Sequence, residues 1–356
     1  MIAATLALAL AAGPTVAVDL LGKEAPRALV VRGDGAVRSV AARGDSLVVD
    51  GVPAAELSLP SGTWRVEPAS GPARTYACAL AIRAREGRLA LRARCDLEAY
   101  VAAVVASEAR PGTPAAALEA LAVAVRSYAL AARDRHPGGA LCDLAHCQLL
   151  RGAASPRHLA RAARAARATR GEVLVLPSGA IAAAAFHASC GGRTAEPREA
   201  FGSDASGGRS AEDGCVGPAW QAALSPARVA GAARAALSGS APGVVPASLR
   251  AADLVLSRGA GGWVSRVEAA DGSWRVSGDA FARALDATVG RGVVRSGRFE
   301  VADEDGRVVL RGTGHGHGVG LCQEGAARLA AAGADRRDLL GRYYRARITT
   351  LRESGP

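Results

Sequence analysis

The stretch DLEAYVAAVVASEARPGTPAAALEALAVAVRSY, residues 96–128, predicts two helices separated by a short break. Asp96 is a favourable N-cap, and the Arg-Pro-Gly run at 110–112 ends the first helix. Apolar side chains recur at helical spacing on one face: Leu97, Val101, Val104 and Val105. Glu108 follows on that face at the negative helix end, where desolvation and the helix dipole would raise its pKa, as a general acid requires. The alternative is a Glu108 that points into water just past the last buried turn.

The pattern around this stretch predicts an α+β fold. Residues 15–95 contain short alternating runs and turn signals, which indicate a small β-rich N-terminal segment. Residues 96–350 combine predicted helices with short strands and form the main predicted domain. A basic helix is expected at 156–169, with His158 on its surface, and residues 191–217 are expected to be a long glycine-rich loop.

Composition and charge limit the classes of partner. The chain carries 44 Lys and Arg against 33 Asp and Glu, a net charge of +11, yet only 4% of its residues are aromatic. So few aromatic rings disfavour nucleic-acid binding by base stacking, whereas a basic chain suits an anionic polymer such as a bacterial cell wall.

The N-terminal run predicts export. Residues 2–12 are apolar but too short to span a bilayer, so no transmembrane anchor is expected. Ala9-Leu10-Ala11 fits a signal-peptidase site, which predicts a signal peptide over 1–14, although no basic residue precedes the apolar run. The expected location is the periplasm, the cell wall or the extracellular space.

Two cysteines are expected to pair across a hairpin. With Glu86-Gly87 as a two-residue turn, the flanking strands place Cys78 opposite Cys95. A cross-strand disulfide is the more specific interpretation, and two buried thiols are the alternative. An oxidising compartment would favour the disulfide.

Four potential metal ligands lie within twelve residues: His136, Cys142, His146 and Cys147. Two imidazoles and two thiolates are a usual ligand set for closed, tetrahedral, structural zinc. The alternative is a Cys142–Cys147 disulfide with two solvated histidines. We predict Zn²⁺, which would hold the loop and leave no open position for catalysis.

A glycine-rich stretch, GTGHGHGVGLCQEG at 312–325, forms a further candidate site. It lacks the Lys-Ser/Thr of a phosphate-binding loop, so a polar ligand against backbone amides is one interpretation. A tight turn whose histidines face solvent is the other, and metal ligation by His315 and His317 is a third.

The stretch FHASCGGRT at 186–194 follows a predicted strand. Cys190 could act as a nucleophile. A disulfide between Cys190 and Cys215 is preferred for an exported protein.

Read together, four ordered blocks resemble the SpoIID/LytB family, which comprises stage II sporulation protein D and the amidase enhancer LytB. The resemblance covers about residues 96–348. The blocks are YVAAVVASEARPGTPAAALEALAVAVRSYAL, CDLAHCQLLRG, SCGGRT, and GTGHGHGVGLCQEGAARLAAAG followed by LLGRYY. The chain departs from the family where Cys322 replaces a serine and where Ala109-Arg110-Pro111 replaces Met-Pro.

The resemblance implies peptidoglycan remodelling by a lytic transglycosylase that acts on denuded glycan strands, with Glu108 as its single general acid and base. It also implies zinc at the Cys/His block. Sugar-binding side chains are implied at Arg126, Ser189, Thr194, His315, His317 and Gln323. The alternative function is an amidase enhancer that binds wall glycan or a cell-wall amidase without cleaving anything. A metal-dependent hydrolase that uses His315 and His317 is a third hypothesis.

Overall fold

A computed structural model describes residues 14–136, 138–151, 155–237 and 244–351. The predicted signal peptide falls almost entirely outside these residues. Within them, eight helices and 19 strands form an α+β fold, as predicted. The chain divides into two compact units, one made of residues 1–113, 125–173 and 349–356, the other of 114–124 and 174–348. This grouping differs from the predicted boundary between 15–95 and 96–350.

A nine-stranded sheet dominates the first unit, and its strand order is β5-β4-β3-β2-β6-β7-β8-β1-β9. Neighbouring strands pair antiparallel except β1 and β9, which are parallel. The strands are β1 (Thr15–Leu20), β2 (Ala28–Gly33), β3 (Ala36–Arg43), β4 (Ser46–Val49), β5 (Val52–Ala54), β6 (Leu57–Pro68), β7 (Arg74–Arg85), β8 (Arg88–Asp96) and β9 (Leu141–Cys142).

The hairpin of β7 and β8 has the predicted register. Ala79 pairs with Arg94 and Arg85 pairs with Arg88, so the turn is Glu86-Gly87. The two flanking cysteines, Cys78 and Cys95, form a disulfide with their Cα atoms 4.5 Å apart. Side chains alternate between buried and exposed along most of both strands, as expected for an antiparallel sheet with one covered face.

Helix α1 (Leu97–Glu108) begins directly after β8. The Asp96 carboxylate caps it as predicted, accepting hydrogen bonds from the backbone N–H groups of Glu98 at 2.9 Å and Ala99 at 3.0 Å. Seven of its twelve residues are buried, so α1 is a core helix with little polar surface. Helix α3 (Pro156–Ala168) packs against it.

Three elements continue across the division between the units: α2 (Ala115–Ala131), β10 (Glu172–Val175) and β19 (Arg347–Thr350). The second unit has two three-stranded antiparallel sheets, β12-β17-β16 and β13-β14-β15, and a short parallel pair of β11 and β18. Its strands are β11 (Phe186–His187), β12 (Ala219–Leu224), β13 (Leu254–Arg258), β14 (Val264–Ala269), β15 (Arg275–Ser277), β16 (Phe299–Glu304), β17 (Arg307–Thr313) and β18 (Leu321–Cys322).

The helices of the second unit are α4 (Pro197–Phe201), α5 (Pro226–Ala236), α6 (Gly278–Val289), α7 (Gln323–Ala331) and α8 (Arg336–Tyr343). Helices α5 and α6 pack together over a core that includes Trp220, Phe281 and Phe299. Among the described residues, no helix combines the length and apolarity needed to cross a membrane.

Candidate functional site

Glu108 is the last residue of α1 and is half-buried. Burial raises the pKa of its carboxyl to about 7, although the backbone N–H of Leu149 and the charge of Arg151 act in the opposite direction. The Leu149 N–H donates to Glu108 Oε1 at 2.8 Å. The carbonyl oxygen of a protonated carboxyl is a better acceptor than its hydroxyl oxygen, so this hydrogen bond favours Oε1 as the acceptor and the acidic proton on Oε2. The carboxyl is therefore an acid that is partly protonated near neutral pH.

The segment that supplies this N–H docks on helix α1 at three points. Tyr100 donates its hydroxyl to Gln148 Oε1 at 2.8 Å, and Leu149 binds Glu108 as described. The backbone N–H of Arg151 donates to Ser107 Oγ at 3.0 Å. Residues 148–151 thus run along the helix end and fix one oxygen of the carboxyl in place.

The four predicted metal ligands converge immediately before this segment. His136 Nε2 lies 3.2 Å from Cys147 Sγ and 3.2 Å from His146 Nε2, and Cys142 Sγ lies 3.5 Å from His146 Nε2. All four donor atoms lie within 4.8 Å of one another. A tetrahedral zinc with Zn–N of about 2.0–2.1 Å and Zn–S of about 2.3 Å would separate its donors by about 3.3–3.8 Å. The donor set and its spacing therefore fit a structural zinc ion.

The loop around these ligands is also tied to the body of the unit. The Tyr128 hydroxyl donates to the His146 carbonyl at 3.2 Å, and Gln148 Nε2 donates to the Val125 carbonyl at 3.3 Å. Such outer contacts orient metal ligands. Because Cys147 directly precedes Gln148, a metal bound here would also hold residues 148–151, the backbone segment that positions Glu108.

Arg126 does not have the sugar-binding role that the resemblance implies. Its side chain is fully buried and pairs with Glu98 through Nε at 2.9 Å and Nη2 at 2.6 Å. The remaining donors bind the carbonyls of Ala166 and Glu172 and, at 3.5 Å, the Thr169 hydroxyl. Since all five N–H groups of the guanidinium are used, Arg126 is a structural residue of the core.

His158 corrects another expectation, because it is buried rather than on the surface. Its Nε2 lies 2.9 Å from the carbonyl oxygen of Ala109, the C-cap residue that follows α1. Terminal carbonyls of a helix lack intrahelical partners, so His158 satisfies one of them. The sequence signal that could have found it is its place near the start of α3, among alanines that face inward.

The alternating glycines at 312–320 are required by packing within the second unit. A Cβ on Gly318 would lie 2.3 Å from the Trp263 ring, and one on Gly320 would lie 2.0 Å from the Ala185 carbonyl oxygen. Both residues also have positive φ, 79° and 70°. The protein's own side chains and backbone therefore account for these glycines without a ligand against the amides.

The two histidines of this loop differ in environment. His315 is exposed, whereas His317 is half-buried and its Nδ1 accepts a hydrogen bond from the Val319 N–H at 3.1 Å. A further backbone hydrogen bond joins His317 to Phe186, and burial lowers the pKa of its imidazole to about 4. His317 is therefore neutral and hydrogen-bonded to backbone, and its role as a sugar ligand, like that of His315, stays a prediction. Neither histidine belongs to a cluster of metal-ligating groups among the described residues.

Ser189 and Thr194 are also fully buried. Thr194 Oγ1 donates to the Arg209 carbonyl at 2.7 Å and accepts from the Ala211 N–H at 2.8 Å, which fixes a loop. Neither hydroxyl is presented to a glycan. Gln323, the first residue of α7, is half-buried and, with His315, stays a predicted sugar-binding residue.

The preferred Cys190–Cys215 disulfide is not present, since both thiols are free. Cys190, Cys215, Cys322 and Asp213 instead form one buried cluster. The sequence could not indicate this arrangement, because Cys322 follows Cys190 by 132 residues and only the pairing of β11 with β18 brings their segments together.

Fold and site together define an α+β protein with one perturbed carboxylic acid at a core-helix end, next to a four-ligand Cys/His centre. Residues 85–176 match the sequence profile of the family described as stage II sporulation protein, SpoIID. This match is consistent with the SpoIID/LytB family to which the motifs point, and it contains helix α1, Glu108 and the Cys/His centre. No curated protein matches the chain.

The match supports a cell-wall role connected with sporulation and peptidoglycan. It ends before the SCGGRT and GTGHGHG stretches, so the family finding concerns the segment that carries the acid and the Cys/His centre.

Proposed function

We propose that the protein is an exported lytic transglycosylase that cleaves denuded peptidoglycan strands with Glu108 as the only catalytic carboxyl. The observation that carries this proposal is the half-buried Glu108 side chain, whose pKa burial raises to about 7. A catalytic acid works best when its pKa lies near the operating pH.

In the proposed reaction, the proton on Glu108 Oε2 is transferred to the glycosidic oxygen as the bond from that oxygen to the anomeric carbon breaks. The C6 hydroxyl oxygen of the same sugar then bonds to the anomeric carbon. Its proton returns to the Glu108 carboxylate, which restores the acid, so no water is consumed. One carboxyl serves both steps, unlike the two carboxylates of most glycoside hydrolases.

The Leu149 N–H has a defined part in this cycle. It stays on Oε1 in both protonation states and binds more strongly to the carboxylate than to the acid. The donor therefore limits how far burial raises the pKa of Glu108, which lets the same group give a proton and take one back.

Zn²⁺ at His136, Cys142, His146 and Cys147 would have a structural part. With four protein ligands it leaves no position for substrate or water. What it supplies is a fixed anchor for residues 148–151, which carry the hydrogen bond to Glu108.

Mass spectrometry of denuded glycan strands after incubation with the protein tests the proposal. The wild type is expected to yield fragments ending in an anhydro sugar, one water lighter than hydrolysis products, and Glu108→Gln is expected to yield none. Glu86→Gln is the matched control, because it makes the same chemical change at an exposed turn and should retain activity.

The result also separates the proposal from an amidase enhancer. An enhancer would give no anhydro products with either protein, and Glu108→Gln would stimulate a cell-wall amidase as well as the wild type does. That outcome would show that the protein is a glycan-binding enhancer and not an enzyme.

A further inference from the structure

Four side chains with metal-binding atoms meet in the interior of the second unit, and none of them belongs to the motif predicted to bind zinc. Cys190, Asp213, Cys215 and Cys322 each offer one donor atom, and these atoms all lie within 4.8 Å of one another. The exposed fraction is 0% for Cys190 and Cys322, 2% for Cys215 and 3% for Asp213. Three segments distant in sequence therefore bring a closed donor set together.

Every sulphur atom in this cluster has a hydrogen-bonding neighbour of the kind that surrounds metal thiolates. Backbone N–H groups donate to two of them, and a hydroxyl lies beside the third. The contacts are Gly192 N to Cys190 Sγ at 3.3 Å, Cys190 N and Gly325 N to Cys322 Sγ at 3.3 Å each, and Ser189 Oγ beside Cys215 Sγ at 3.1 Å.

The carboxylate is oriented in the same way. Asp213 Oδ2 accepts the Tyr343 hydroxyl at 2.9 Å, and Oδ1 accepts the Cys215 N–H at 2.9 Å. Oδ1 also lies 3.2 Å from Cys190 Sγ. Adjacent donors on one tetrahedral zinc are about 3.3–3.8 Å apart, so this spacing is close to that of two ligands on one ion.

Among the described residues, two guanidiniums bind the segments that carry the cluster, and neither is hydrogen-bonded to its thiol or carboxylate atoms. Arg298 Nη1 donates to the carbonyl oxygens of Cys190 and Gly191, and Arg328 Nε donates to the Asp213 carbonyl at 3.4 Å. Both guanidiniums are thus directed at backbone oxygens, whereas buried thiolates and carboxylates need a counter-charge at their own atoms.

We propose that Cys190, Asp213, Cys215 and Cys322 bind a second divalent metal ion of the zinc type, independent of the Cys/His centre. Soft thiolates select zinc over hard cations, and four protein ligands make the site structural. The assignment also gives each of the seven cysteines a role: two in the disulfide, two in the Cys/His centre and three here.

The position of this site indicates what the metal holds. Ser189, next to Cys190, exchanges backbone hydrogen bonds with His315, its N–H donating at 3.1 Å and its carbonyl accepting at 2.8 Å. Cys322 ends the short strand β18 and caps helix α7. A metal here would therefore join the SCGGRT turn, the 213–215 loop and the end of the glycine-histidine stretch.

The test is the zinc content per chain of the purified full-length protein, measured by elemental mass spectrometry. We expect two zinc ions in the wild type and one in Cys142→Ser/Cys147→Ser. We also expect one in Cys190→Ser/Cys322→Ser, whose single ion stays at the Cys/His centre. A Cys142→Ser/Cys147→Ser protein without zinc would overturn the proposal.

A count of free thiols on the wild type gives an answer that does not depend on how the variants fold. Alkylation of unreduced protein in denaturant and chelator should modify five cysteines, because only Cys78 and Cys95 are bonded. Modification of three, with Cys190 linked to Cys215 or Cys322, would show a second disulfide and refute the metal site. Cobalt substitution adds a spectroscopic check, since the site predicts thiolate-to-cobalt bands that persist in Cys142→Ser/Cys147→Ser.

Discussion

Replacing Glu108 with glutamine should stabilise the protein at alkaline pH while abolishing turnover. The folded-state pKa of Glu108 is raised from the ordinary 4.5 to about 7, so the folded chain binds its proton more tightly than the unfolded chain. A raised folded-state pKa contributes stability below pH 4.5 that is lost as the pH rises towards 7.

The size of this effect follows from the shift itself. About 2.5 pKa units at about 1.4 kcal/mol each correspond to about 3 kcal/mol, which is lost mainly between pH 4.5 and about pH 7 and stays lost at higher pH. Glutamine has nearly the same shape, keeps an oxygen for the Leu149 N–H and carries no charge at either pH. The variant should therefore avoid the loss.

The measurement is the free energy of unfolding of wild type and Glu108→Gln by urea at pH 5 and pH 8.5. Hydrogen exchange of the backbone amides of helix α1 shows whether the change in the free energy of unfolding arises in the first unit. The difference between the two proteins is the informative quantity, since the titration of all other groups cancels in it. An equal difference at both pH values would refute the raised pKa and, with it, the physical basis for a catalytic acid.

Further predictions concern activity and the supporting structure. The kcat/KM of wild type on denuded glycan should fall above about pH 7, as the Glu108 carboxyl loses its proton, and a flat pH profile up to pH 9 would contradict this role. Removal of metal from the Cys/His centre by a chelator should shift this decrease in kcat/KM to higher pH, because a less firmly held Leu149 N–H would lower the pKa of Glu108 less. An unchanged pH profile in zinc-free protein would show that the metal does not influence Glu108. Arg126→Met should reduce the free energy of unfolding by about 3–5 kcal/mol, because it leaves Glu98 unpaired, and a stable variant with only a raised KM would restore Arg126 to the substrate site. Gly320→Ala should lower the melting temperature more than Gly306→Ala: both have positive φ, but only the former meets a backbone carbonyl, at 2.0 Å.

The burial of Glu108 and the limit on its pKa have separate structural causes. Glu108 is half-buried at the end of the core helix α1, and the limit on its pKa comes from a loop 41 residues further along the chain. A catalytic acid of this kind depends on both, because burial alone would hold the proton too tightly to release it.

Local sequence patterns determined much of this protein. The Asp96 cap, the apolar spacing of α1 and the turn at Glu86-Gly87 each act over a few residues, so helix start, hairpin register and the Cys78–Cys95 pair could be predicted. The Cys/His centre was predictable for the same reason, since its four ligands lie within twelve residues.

Tertiary structure decided the environments of individual side chains. The sequence places Arg126 and His158 on helices, yet only packing shows that both are buried and bonded to distant backbone. The three-thiol cluster likewise exists only because strand pairing joins Cys322 to Cys190. The physical reason is that burial and long-range contact depend on which surfaces meet, and neither hydrophobic periodicity nor motif spacing contains that information.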